Sequence, residues 1–225
     1  LNIAADFGAK IVHIRKEDFS FGRSLNVGCM ASKGSVLVFV SGHCVPIDSR
    51  WINELVKPIF DGSVSYTYGR QEGRDTTKYS ETKVFEKYFP VKSYIPQEGY
   101  FCNNANAAID RDVWSEYQFD EELTGLEDME LAKRIYQDGK SIGYVAEAGV
   151  YHIHNEKWGQ VKNRYEREAI ALQNIMPEIH VSFIDFVRYV SVSIFSDLIS
   201  SKNEIFHLFF EIVSFRFLQF WGGFK

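Results

Sequence analysis

The run Val36–Val40, VLVFV, restricts the fold of this chain more than any other stretch. Five successive apolar residues with β-branched and aromatic character read as a strand buried on both faces, as inside an α/β sheet covered by helices. The run breaks into Ser41, Gly42, His43 and Cys44, and Pro46 stops it. In open α/β sheets, ligands sit in the crevice beyond the carboxyl ends of the strands. A histidine there, beside a glycine that lets a group approach the backbone closely, is a candidate ligand contact. The plainer alternative is a capped strand whose histidine only bonds a loop.

Helix and strand patterns alternate at short intervals around this strand. LNIAADFGAKIVHI reads as a helix tail ended by Gly8, then a short strand, Ile11 to Ile14. Leu25, Val27, Met30 and Ala31 mark a helix closed by Gly34, and SRWINELVKPIF another. SVSYTYGR is a strand, TTKYSETKVFEKYF a helical excursion, and NNANAAI enters a further strand. In EDMELAKRIYQDGK, Met129, Ala132, Ile135 and Tyr136 form a helical stripe, with Glu127 and Asp128 in the first turn and Gly139 at the end. SIGYVAEAGVYHIH gives two short strands, and NEKWGQVKNRYEREAIALQNI a charged amphipathic helix. This alternation implies an α/β fold with parallel, doubly wound connections.

A chain of 225 residues can bury one good core, and its 45% hydrophobic content excludes wholesale disorder. The net charge of −5 leaves no footprint for duplex nucleic acid, which is therefore not an expected partner. Cys29, Cys44 and Cys102 fit neither zinc spacing nor a disulfide framework, so a reducing cytosol is expected. The first residue is Leu1, with no signal pattern, and the chain is expected to be part of something longer. After Pro177 aromatic and aliphatic residues dominate, interrupted by charges from Asp185 to Arg216 that leave no uncharged span of membrane length. The expectation is a domain over residues 1–176 and a tail, 177–225, of two amphipathic helices in a membrane interface. A helical hairpin packed on its own domain, or a dimer contact, would use the same residues.

Several groups are individually weak candidates. Glu127 and Asp128 could simply complement a helix dipole, and Asn103, Asn104 and Asn106 could be turn-formers. His152 and His154 alternate along a strand, so they are expected on opposite faces and not in one site.

In chain order, however, LNVGCMASKGSVLVFVSGHCVP, YGRQ, NNANAAIDRDVW, GLEDMELAKR and VYHIH resemble the family 2 glycosyltransferases of the GT-A fold, from Leu1 to about Ile175. The resemblance implies a doubly wound mixed sheet lacking its first strand, which would lie before Leu1 together with the nucleotide-binding segment. The chain alone is then expected to be inactive. Ser41 and His43 stand where the family carries an Asp-x-Asp, whose first aspartate some branches, including rhamnosyltransferase-like ones, also lack. The resemblance implies Asp128 as general base with Glu127 beside it. It implies Ser41, Gly42, Arg70 and Gln71 on the donor, and Asn104 and Asn106 on the acceptor. His43 and His152 are implied as metal ligands, with His154 the second choice. Two imidazoles favour Mn²⁺ over Mg²⁺. Gln160 is present, but Arg164 has the wrong spacing for the processive Gln-x-x-Arg-Trp segment. The implied activity is inverting, non-processive transfer from a nucleotide-sugar donor to a glycan or lipid-linked acceptor in cell-surface polysaccharide synthesis. It would take place in the cytoplasm, peripheral to the inner face of the cell membrane. The alternative is a catalytically silent module that binds a saccharide or a partner.

Overall fold

The computed structural model describes residues 2–224. In chain order come α1 (Asn2–Asp6), α2 (Phe21–Ala31), β1 (Val36–Val40), β2 (Cys44–Pro46), α3 (Trp51–Phe60), β3 (Tyr66–Glu72), α4 (Tyr79–Tyr88) and β4 (Asn106–Asp110). They are followed by α5 (Arg111–Tyr117), α6 (Glu127–Gln137), β5 (Ile142–His152), α7 (Trp158–Ile175), α8 (Phe183–Ser201) and α9 (Ile205–Phe224).

Period-two alternation sets the layers. Leu37 and Phe39 of β1, Tyr66 and Tyr68 of β3, and Ala107 and Ile109 of β4 face one core with Phe85, Trp114, Leu131 and Ile135. Val36, Val38 and Ala108 face the opposite core, built on Leu55 and Ile59 of α3. Between Tyr66 and Tyr68, Thr67 is fully buried and donates its hydroxyl to the Leu55 carbonyl at 2.8 Å. Helices thus cover both faces of a mixed sheet of order β1-β4-β3-β5-β2.

Three expectations change. The β1/β4, β3/β4 and β2/β5 pairs are antiparallel, and among the described residues only β3 and β5 run parallel. Residues 11–14 form no strand: they have no ladder partner, and Val12 is exposed. The segment expected as two strands is the single eleven-residue β5, whose pairing with β3 shifts register between Gly69 and Gln71. A glycine in a strand marks such an irregularity.

β2 pairs only with the last three residues of β5, Cys44 opposite His152 and Pro46 opposite Val150. The link Ser41–His43 is therefore long enough to carry the chain from the end of β1 to the end of β5. A turn in which Cys44 N–H donates to the Ser41 carbonyl at 2.9 Å fixes it.

The C-terminal helices pack on the sheet domain. Ile212 and Phe215 of α9 are fully buried, and Phe215 meets the Tyr165 ring of α7 edge-on at 5.8 Å. Arg216 grips Asp197 of α8 with two charge-assisted bonds, 2.7 and 2.8 Å. On the outer side Ile184, Phe195 and Phe206 remain 78%, 67% and 91% exposed.

A Cβ at Gly69 would overlap the Ala148 carbonyl oxygen and the Asn106 amide. Gly69→Ala is therefore expected to lower stability by about 1–3 kcal/mol, read from urea unfolding midpoints.

Candidate active site

The ends of β1, β3 and β5 open on a cleft of about 710 Å³. Ser41, His43, Gln71, Asn104, Glu127, Asp128 and His152 line it, together with His154 and Arg164. Gly42, Arg70 and Asn106 lie outside the lining. Gly42 faces open space, and Arg70 is tied to Glu72 at 2.8 Å. Asn106 is fully buried, accepting from Trp51 Nε1 at 2.7 Å and donating to the Ala148 carbonyl at 2.7 Å. It braces the sheet end, and its amide has no reach into the cleft.

One side of the cleft holds three imidazoles. Nε2 of His43 and Nε2 of His152 are 2.8 Å apart, and the His152 and His154 rings have centroids 4.2 Å apart. One ligand nitrogen from each of the three lies within 4.8 Å of the others. His154 is thus brought to His152, not turned to the opposite face. The strand ends at His152, so the alternation that would separate the pair no longer applies.

Each ring is held through Nδ1. His43 meets Ser41 Oγ at 3.0 Å, His152 meets Gln71 Oε1 at 2.7 Å, and His154 meets Glu81 Oε1 at 2.7 Å. Gln71 donates its amide nitrogen to Asn103 Oδ1 at 2.9 Å, so its oxygen accepts the proton of His152 Nδ1. The network assigns His152 a bare Nε2, and the His43 Nε2–H donates to it. Burial, then the neighbouring His154 and His43, pushes the pKa of His152 down to about 2. Burial and His154 likewise lower His43. Imidazoles held through Nδ1 are the donor set of a metal site, His43 offering Nε2 once its proton sits on Nδ1 toward Ser41 Oγ. The residues present therefore fit a divalent cation.

The other side is acidic. Asp128 is anchored at the start of α6: Asn104 N–H donates to Oδ2 at 2.7 Å and Met129 N–H to Oδ1 at 2.8 Å. Its helix begins from Leu126 in the left-handed region, φ 56°, a conformation uncommon for leucine and found at constrained sites. Burial raises the pKa of Asp128 against those two bonds, and burial plus the Asp128 charge raises that of Glu127. The Tyr66 hydroxyl donates to Asn104 Oδ1 at 2.5 Å, while Asn104 Nδ2 is shielded from water without a partner. Glu168 also lines the cleft, raised by burial.

Sequence reading does not reach Glu81, Arg167 or Glu168. Arg164, Arg167 and Glu168 are three and four apart on α7, a helical spacing that groups them on one face. For Glu81 no local pattern exists, since its partners lie 73 and 83 residues away.

No protein-family model matches the chain. The O-antigen chain rhamnosyltransferase WbaN of Salmonella anatum is 28% identical over 177 residues, 73% of this chain and 56% of its own length. RfbN of Salmonella typhimurium, another O-antigen chain rhamnosyltransferase, is 28% identical over 156 residues, 64% of this chain and 50% of its own. The chain thus spans about half the length of the curated relatives it matches. Among solved structures, the mannosyltransferase PcManGT of Pyrobaculum calidifontis, in complex with GDP-Man and Mn²⁺, aligns with a TM-score of 0.57 at 13% identity. That alignment covers 79% of this chain and 48% of the mannosyltransferase. GalNAc-T7 with UDP, GalNAc and Mn²⁺ gives 0.54 at 19%, over 74% of this chain and 37% of its own. The fold is that of a GT-A glycosyltransferase. In sequence this GT-A chain is rhamnosyltransferase-like.

The raised carboxylates of the GT-A cleft make stability depend on pH. A carboxyl whose folded pKa exceeds its unfolded value holds extra protons in the native state, so its contribution declines as pH rises through that window. Glu127→Gln is therefore expected to gain melting temperature relative to wild type between about pH 5 and about pH 8. Differential scanning calorimetry at the two pH values checks this, and a constant offset counts against it.

Proposed function

We propose that this chain is the catalytic part of an inverting, non-processive glycosyltransferase. It moves a sugar from a nucleotide-sugar donor to a glycan or lipid-linked acceptor in cell-surface polysaccharide synthesis. The carrying observation is that His43, His152 and Asp128, distant in sequence, share one cleft at the rim of the sheet. The names of the O-antigen relatives support the same reading.

His43, His152 and His154 would hold a divalent cation, Mn²⁺ in preference to Mg²⁺, and when bound it would supply Lewis-acid stabilisation of the departing nucleoside diphosphate. Asp128 takes the proton of the acceptor hydroxyl as that oxygen bonds to the anomeric carbon. The bond to the diphosphate breaks on the opposite face, and the configuration inverts. The two backbone N–H bonds fix the carboxylate's direction and leave it lone pairs for that proton. Asn104, which lines the cleft beside Asp128, lies on the acceptor side. Gln71 keeps His152 in its tautomer, Ser41 lies on the donor side, and Phe85, Phe89 and Phe101 line a wall that keeps water out. Arg164 is paired with Glu156 and Glu81, and its spacing from Gln160 differs from the processive Gln-x-x-Arg-Trp segment.

No helix among the described residues is long and apolar enough to cross a membrane. Phe183, Ile184, Val187, Val192, Phe195 and Ile199 nevertheless leave an exposed apolar stripe along α8, which supports attachment to the cytoplasmic membrane surface.

Asp128→Asn in the full-length protein is expected to lower turnover at least about 10²-fold while donor affinity holds; unchanged turnover removes Asp128 from the base role. Liposome flotation checks the membrane contact. Ile184→Glu together with Phe195→Glu is expected to abolish flotation without lowering the melting temperature, because both side chains are exposed.

A further inference from the structure

We propose that the first turn of α4 positions the cation site and that the C-terminal helices hold this turn in place, with Glu81 as the positioning residue. The inference rests on the cation-site reading above and extends it to residues outside the three-imidazole set.

Three successive residues of that turn each engage a different element. Tyr79 N–H, a donor the helix start cannot satisfy internally, binds Glu211 Oε1 of α9 at 2.7 Å. Ser80 Oγ donates to Asp197 Oδ2 of α8 at 2.6 Å, and the Arg216 guanidinium fixes the same carboxylate. Glu81 then points the other way, into the site, with 2% of its surface exposed. Its Oε1 accepts from His154 Nδ1 and from Arg164 Nη2.

Two donors, His154 Nδ1–H and the Arg164 guanidinium, converge on this one carboxylate. A charged acceptor on Nδ1 leaves Nε2 as the free lone pair of His154 and makes that nitrogen a better donor. It also clamps Arg164, which Glu156 holds from the other side at 2.7 Å. His152 and His43 are braced independently, by Gln71 and Ser41. Loss of Glu81 therefore removes the support of one ligand out of three. Ser80 and Tyr79 transmit the position of α8 and α9 to that ligand, so the tail is part of the site's architecture.

The test is a titration of the whole chain with Mn²⁺ alone, free Mn²⁺ being read by electron paramagnetic resonance and the bound ion's nitrogen couplings by spin-echo modulation. Glu81→Ala is expected to weaken Mn²⁺ binding about 10- to 100-fold and to remove one imidazole coupling. Glu81→Gln, which keeps an acceptor oxygen, loses less, and Ser80→Ala, remote from the ion, loses least but in the same direction. A helix that is merely destabilised lowers melting temperature and leaves three couplings. Glu81→Ala or, should it not fold, Glu81→Gln binding with wild-type affinity and three couplings overturns the positioning role. Ser80→Ala identical to wild type overturns the part assigned to the tail. Absence of saturable Mn²⁺ binding in the wild type overturns the cation site itself, and the positioning role with it.

Discussion

β3 and β5 run side by side in the same direction, Tyr66 opposite Ile142 and Glu72 opposite Tyr151, and both end at the cleft. That pairing brings Gln71 to His152, although 81 residues separate them. Because β2 joins only the last residues of β5, the turn after β1 must arrive at the same place, and it delivers His43. The histidine cluster is thus a consequence of sheet register. A slip of one residue in β5 would turn His152 away from Gln71 and dismantle the set.

The cleft separates charge in a way that suits its proposed chemistry. Three imidazoles stand on one side, and buried carboxyls with raised proton affinity on the other. Arg164 lines the cleft as well, neutralised by two carboxylates. Burying such groups costs several kcal/mol per unpaired ion, so each requires a partner. Those partners come from α4, β3 and the residues after β5, which explains why the site is spread over most of the chain. The tail enters the same arrangement through the Asp197–Arg216 pair and its bond to Ser80.

Local pattern carried the fold a long way. The Val36–Val40 strand, the α6 stripe and the aromatic β3 follow from periodicity alone, since each buries a regular face. What escaped depended on non-local pairing. Strand direction is not written in a short apolar run, so antiparallel β4 looked like another parallel member. Residues Ile11 to Ile14 have strand composition but no neighbour to pair with. Motifs in the sequence pointed to Asp128, His43 and His152, which the fold brings to one cleft. The position of His154 was not legible, because alternation was extended one step past the end of β5. Arg70 and Asn106 sit in the right segments but are used by Glu72, Trp51 and Ala148. Glu81 had no signal at all, because its meaning lies wholly in its partners.

Crystals of the chain grown with Mn²⁺ and measured at the manganese absorption edge show whether the three imidazoles hold a cation. An anomalous peak bonded to His43, His152 and His154, on the side of the cleft away from Asp128, is the expected result. A peak bound elsewhere, or no peak at the three imidazoles, contradicts it.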